Sequence, residues 1–239
     1  RIFVHAQKDE KIEVLADKDQ RVDGQETLTV GKDRARVVGG DQALTVKQDD
    51  TGMVGGNRTL SVQVDGFVGE VEARWEAVDV LVNNIGSTQV LPFALIDEED
   101  WDEAMQANLK PPFLFSKAVV RGMIRRRRGA IVNIGSIAGQ RLLEVPVHYA
   151  TAKAGVVGFT LSLAKELCRY GIRVNAVVPG LIDGGVGSNV SERQLTEFRQ
   201  YCALGRVGTP AEVAELCAFL VSDRASYVNA QCMVVDGGL

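Results

Sequence analysis

Seven valines (Val14, Val22, Val30, Val38, Val46, Val54 and Val62) stand at an unbroken spacing of eight, a period that tightly constrains the first quarter of the chain. Glycine often follows a place or two later, at Gly24, Gly31, Gly39, Gly40, Gly55 and Gly56. Eight is no multiple of 3.6, and Thr, Val and Gly are weak helix formers. An even period instead returns each valine to the same face of an extended strand, with glycine marking the turn. The units between, such as 25–30 and 57–62, are polar and compatible with strands. One valine in eight cannot fill a core within one chain, so the stripe must meet others, most simply the same stripe from sister chains. A polar, disordered repeat is the alternative reading.

The patterning changes in the sixties. Residues 1–62 hold one aromatic, Phe3, whereas all six prolines and all four cysteines lie further on. Two parts are therefore expected, 1–62 and 63–239, and a length of 239 residues accommodates one or two domains. The net charge is −4 with acids and bases mixed, which argues against a nucleic-acid-binding protein held by a basic face. No run of eighteen apolar residues exists, so no helical membrane span is expected. Cys168, Cys202, Cys217 and Cys232 include no C-x-x-C pair and read as reduced thiols. His5 and His148 stand far apart with no neighbouring ligand cluster, so no metal site is expected. The chain opens at Arg1 rather than Met and reads as a fragment or a processed product, with a removed signal peptide left open.

Residues 1–62 resemble the valine-glycine repeat (VgrG) proteins of type VI secretion and related phage tail spikes. The stretch Ile2, Phe3, Val4, His5, Ala6 and Gln7 is similar to the opening of that family's spike, and the octads to its shaft. The resemblance implies an all-β, intertwined three-chain β-helix, a puncturing or carrier element without catalytic residues, exported by type VI secretion.

The second part alternates. Apolar runs at 78–82, 130–134, 173–178 and 232–235 each end in a Gly-bearing punctuation: Asn83 to Gly86, Gly135 with Ser136, Pro179 with Gly180, and Asp236 to Gly238. Amphipathic segments near 67–75, 98–128, 148–169 and 210–222 fill the gaps. Strands separated by helices predict an α/β, doubly wound parallel sheet, Rossmann-like, with ligands beyond the carboxyl ends of its strands. Within it, Tyr149 and Lys153 are four residues apart and share one helix face. A nearby ammonium is expected to stabilise the phenolate and pull the tyrosine pKa down from about 10, suiting Tyr149 to proton transfer. Ser136, thirteen residues earlier at a strand end, can hydrogen-bond the same oxygen.

These residues resemble the short-chain dehydrogenase/reductase family over about 63–239. Asn83, Asn84, Ile85 and Gly86 resemble its N-N-A-G, Asn175 to Gly180 its N-x-x-x-P-G, and Val234 to Gly238 its closing motif. The resemblance implies hydride transfer between NAD or NADP and a small carbonyl or alcohol. It makes Tyr149 the general acid/base, Ser136 the substrate-orienting group, Lys153 the residue that tunes Tyr149 and holds the nicotinamide ribose, and Asn108 the support of a water relay. Cofactor contacts are implied for Asn83, Asn84, Gly86, Tyr149, Lys153, Pro179, Gly180 and Ile182.

That family opens with a glycine-rich turn, T-G-x-x-x-G-x-G, whose amides hold the pyrophosphate. The sequence lacks it; Thr51 to Gly56 imitates it in part, but its glycines keep the octad phase. The expected sheet is therefore incomplete, with the 78–82 strand at an exposed edge and cofactor affinity lowered by several kcal/mol. Assembly is read two ways, as a trimer through the repeat or a tetramer through helices such as 98–128 and 148–169. A fusion, by gene rearrangement or by the joining of unrelated reads, reconciles them. Two functions are carried forward: a cytoplasmic NAD(P)-dependent oxidoreductase, weakened or silenced by the missing turn, and a non-enzymatic trimeric spike with a truncated reductase extension. Arg125 to Arg128 is read as a solvated helix end, with an anion patch as the alternative. Gly184 and Ala230 depart from the family's usual Thr and Gly. Residues 184–205 are expected to cover substrate, and His148 is either a substrate contact or a surface residue at a helix start.

Overall fold

A computed structural model describes residues 58–184 and 190–239. The octads through Val54, the 2–7 stretch and the Thr51–Gly56 imitation of the phosphate turn lie outside the described residues.

Four parallel strands, β1 (Val80–Asn83), β2 (Gly129–Ile134), β3 (Ile172–Pro179) and β4 (Cys232–Val235), form one sheet in the order β1-β2-β3-β4. The expected strands are present within a residue or two of their apolar runs. Helices α1 (Arg58–Trp75), α2 (Glu98–Asn108), α3 (Lys110–Arg126), α4 (Val147–Leu167), α5 (Glu192–Tyr201) and α6 (Pro210–Val221) make up the rest, with short 3-10 turns between. Parallel strands require crossovers, and the helices supply them.

Register sorts the side chains into two cores. Leu81 lies opposite Ile131, and both join a cluster with Val64 and Val68 of α1, Leu114, Val119 and Met123 of α3, and Ala164 and Leu167 of α4. Val82 lies opposite Val132, on the other face, where Val132 and Val177 pack against Leu220 of α6. One face thus carries three helices and the other carries α6.

Two expectations need correction. The repeat phase predicts an extended unit at 57–62, but the backbone is helical from Arg58. Val64 and Val68, four apart, bury together against α3, and this tertiary packing overrides the β preference of the preceding residues. The single 98–128 segment is two helices that break at Leu109 (φ −107, ψ −37). Pro111 and Pro112, lacking backbone N–H groups, cannot continue α2 but suit the first turn of α3. The 184–205 stretch expected to cover substrate includes α5, whose capping box pairs Ser191 with Gln194.

Arg125 to Arg128 is exposed at the end of α3. Arg126 donates to the Val78 carbonyl at 2.6 Å and Arg127 to the Arg169 carbonyl at 2.8 Å, so half of this run ties the helix end to neighbouring backbone.

Candidate active site

The carboxyl ends of all four strands point the same way, and the sequence-predicted residues gather there. Ser136 follows β2 and caps the short turn Ile137–Gly139, its hydroxyl accepting from the Ala138 amide at 3.2 Å. That turn presses on α4: a Cβ at Gly139 would lie 2.5 Å from the Ala154 nitrogen. Only glycine permits this approach, which fixes the Ser136 end of β2 against the Tyr149–Lys153 turn of α4.

Ser136 is near enough to the Tyr149 phenol to stabilise its anion in part. Lys153 is 5% exposed, and its Nζ donates to the Ile134 carbonyl at 3.3 Å and sits 5.9 Å from the centre of the Tyr149 ring. Asn108, the last residue of α2, is fully buried; its Nδ2 donates to the Ser87 and Ala104 carbonyls at 2.9 and 3.0 Å. Its Oδ1 has no hydrogen-bond partner. A Cβ at Gly86 would lie 2.6 Å from that oxygen and 3.0 Å from the Lys153 nitrogen. Gly86, Asn108 and Lys153 therefore meet at one point, with Tyr149 one helical turn from Lys153.

The electrostatics correct one expectation. The Tyr149 pKa is raised, not lowered: burial dominates, and the hydrogen bond from Ser136 only partly offsets it. Burial also lowers Lys153 to about 8. The ammonium lies beside the tyrosine ring and bonds a backbone carbonyl, so it does not offset the desolvation of the phenol.

The other candidates divide. Asn83 is buried, and its amide donates to Asn133 Oδ1 at 2.8 Å and Ser116 Oγ at 3.3 Å. Asn133 donates in turn to Thr160 at 2.9 Å, and Thr160 to the Val156 carbonyl. That side chain ties β1, β2, α3 and α4 together behind the site. Asn84 and Gly86 are exposed beyond β1. Pro179 is buried at the end of β3; the Gly180 amide donates to the Val235 carbonyl at 2.9 Å, and Ile182 bridges to Gly208. These three lie at the next strand end over from β2. His148 is 1% exposed with Nδ1 unpartnered, so it is no surface residue. Its place in the row His148, Ala152, Val156, Thr160 and Ala164 marks it as core at i, i+4 spacing, a signal the sequence carried. The Asn83–Asn133 chain was missed; an asparagine inside the apolar run 130–134 was its only trace.

Residues 41–239 match the family model described as Enoyl-(Acyl carrier protein) reductase. The 3-oxoacyl-[acyl-carrier-protein] reductase FabG of Vibrio cholerae is 38% identical over 176 residues, 74% of this chain and 72% of that protein.

The chain belongs to the short-chain dehydrogenase/reductase family.

The Thermotoga maritima FabG is 41% identical over 177 residues, again 74% of this chain and 72% of that protein. Among solved structures, a gluconate 5-dehydrogenase from Burkholderia cenocepacia in complex with NADP and tartrate superposes on this dehydrogenase/reductase with a TM-score of 0.72 at 32% identity, covering 75% of this chain and 71% of that one. Residues 1–80 also match the model of the bacteriophage T4 gp5 C-terminal trimerisation domain. The two matches overlap at 41–80. Where that overlap is described, it is a helix and the start of a parallel strand, the reductase pattern.

Proposed function

We propose that this chain is an NAD(P)-dependent oxidoreductase that interconverts a carbonyl and an alcohol, with Tyr149, Ser136, Lys153 and Asn108 as its working groups. One observation carries the reading: a buried lysine and a buried asparagine with an unpartnered oxygen meet at Gly86 beyond the strand ends, with Tyr149 one helical turn from Lys153. Tyr149, with its pKa raised, keeps its proton at neutral pH and donates it to the substrate oxygen in the reducing direction. Ser136 shares that hydrogen bond and orients the oxygen. Lys153 and the Asn108 oxygen border the Gly86 space, and they support reprotonation of Tyr149 from solvent.

The residues suit one half of the dinucleotide. The orphaned Asn108 oxygen and the Lys153 ammonium, brought together where a Cβ at Gly86 would collide with both, fit a nicotinamide riboside. When bound, NAD(P) supplies or accepts the hydride. Asn84, Gly86, Lys153, Pro179, Gly180 and Ile182 would hold that end. Among the described residues no glycine-rich strand-to-helix turn offers amides to the pyrophosphate, so affinity is reduced, to the point of silence if nothing replaces it. The relatives' names make a 3-oxoacyl thioester the first substrate to try. Turnover with NADPH and such a thioester should fall about 10²–10⁴-fold in Tyr149→Phe. Equal rates in the two proteins would remove Tyr149 from the chemistry.

A second reading rests on the valine octads and the trimerisation-domain match. In it, the chain is a trimeric spike, exported by type VI secretion, whose reductase extension is cargo. A purified chain that binds no nicotinamide and runs as a trimer resistant to SDS would favour it.

A further inference from the structure

We infer that Arg141 and Asp236 are a positioning pair, which holds the Ser136 turn in register with Tyr149. The inference deepens the proposed reading, in which Ser136 orients the substrate oxygen, and it rests on that reading. The guanidinium of Arg141, five residues beyond Ser136, lies 3.1 Å from Asp236 Oδ2, in the turn after β4. The pair therefore spans the end of β3, which lies between β2 and β4. Its carboxylate side chain is 8% exposed and its guanidinium side chain 40%. Oδ1 accepts from the Gly238 amide at 2.9 Å. Among the described residues Oδ2 accepts no hydrogen bond, so the Arg141 charge compensates it. An exposed ion pair does little for a fold. A shielded carboxylate stripped of its cation costs far more.

The two ends of the pair are not alike. Asp236 sits in a turn held from several sides. A Cβ at Gly180 would lie 2.8 Å from the Asp236 Cα, which leaves the end of β3 no room to shift. The Leu204 amide donates to the Gly237 carbonyl at 3.0 Å, and the Cys202 thiol to the same carbonyl at 3.2 Å, so the far end of the 184–205 stretch is tied to this turn too. Arg141 instead stands where the chain leaves the core, between buried Ile137 and Ala138 and fully exposed Leu142. Its backbone carries the pull to the site. The Arg141 amide donates to the Ile137 carbonyl at 2.9 Å, closing the turn that Ser136 caps through the Ala138 amide. Gly139 presses that turn on α4 beside Lys153, and Arg141 fastens its other end. Two attachments, one to α4 and one beyond β4, set where the Ser136 hydroxyl stands relative to the Tyr149 phenol.

The Tyr149 phenol reports that position without turnover, because Ser136 stabilises its anion in part. In the full chain with ring-labelled tyrosine, the Tyr149 signal, assigned by its loss in Tyr149→Phe, would be titrated in the wild type, Ser136→Ala, Arg141→Met and Asp236→Asn. Charge alone would move the last two in opposite directions, since losing a cation raises the phenol pKa and losing an anion lowers it. A displaced Ser136 raises it in both. The expected result is an upward shift in Arg141→Met and in Asp236→Asn, each at least about half that of Ser136→Ala, with Arg141→Lys recovering most of the wild-type titration. Turnover of NADPH with a 3-oxoacyl thioester should fall at least about tenfold in kcat in both variants, with KM within about threefold. Asp236→Asn is isosteric and carries the test if Arg141→Met loses the helical spectrum. Opposite shifts, no shift, a titration that Arg141→Lys leaves uncorrected, or a loss confined to KM would overturn the inference. Equal rates in the wild type and Tyr149→Phe would instead remove the catalytic reading and leave the titration result standing.

Discussion

Lys153 shows how burial and function oppose each other at a single residue. Its ammonium is nearly sealed from water, which favours the neutral amine and brings its pKa down to about 8. Because the folded value lies below the unfolded one, the unfolded chain holds more protons between about 8 and the ordinary lysine range. Stability therefore rises with pH across that window, and it is lost as pH falls through the folded value. Urea midpoints measured from pH 7 to 10 should show this rise, and Lys153→Met should abolish it. A labelled Lys153 side chain should titrate near 8 in the intact protein. Tyr149 moves the other way, upward; with Tyr149 as the proposed general acid, the reducing direction should need no deprotonation and the oxidising direction should gain rate as pH climbs. The sequence spacing placed Tyr149, Lys153 and Ser136 together correctly. It missed the sign of the tyrosine shift, because desolvation depends on what packs around the ring and not on the residue four places away.

At the scale of elements, the polar chain from Ser116 through Asn83 and Asn133 to Thr160 holds β1 and β2 to α3 and α4. All four side chains are buried, so deleting one strands its partners. Asn133→Ala should cost on the order of 3 kcal/mol in a denaturant titration, more than a surface asparagine would. Ala230 leads into β4 with φ of 57, a left-handed backbone, while its amide donates to the Val174 carbonyl. Ala230→Val should cost at least about 2 kcal/mol, since a β-branched side chain tolerates that conformation poorly. Strand positions were legible because apolar runs of four to six bounded by glycine have few other readings. The Leu109 break was legible in Pro111 and Pro112 only once a sheet demanded that α2 and α3 change direction. The helical start at Arg58 was not legible, because repeat phase and helix both fit the local residues and only packing against α3 decides between them.

For the whole molecule, the described part is a four-stranded parallel sheet in which β1 is the outermost strand among the described residues. Superposition on a dehydrogenase in complex with NADP covers 71% of that chain. The expected trimer through the repeat and tetramer through the reductase helices would differ in symmetry, and a fusion of two unrelated pieces is the proposal that accommodates both matches. The most direct test is a fluorescence titration of NADPH into this chain and into the Vibrio cholerae reductase, side by side at one ionic strength. If this chain keeps the nicotinamide end and lacks the phosphate grip, its Kd is at least about 100-fold higher, roughly 2.7 kcal/mol. Matching dissociation constants would mean that the chain holds the phosphates after all, and would contradict the incomplete site.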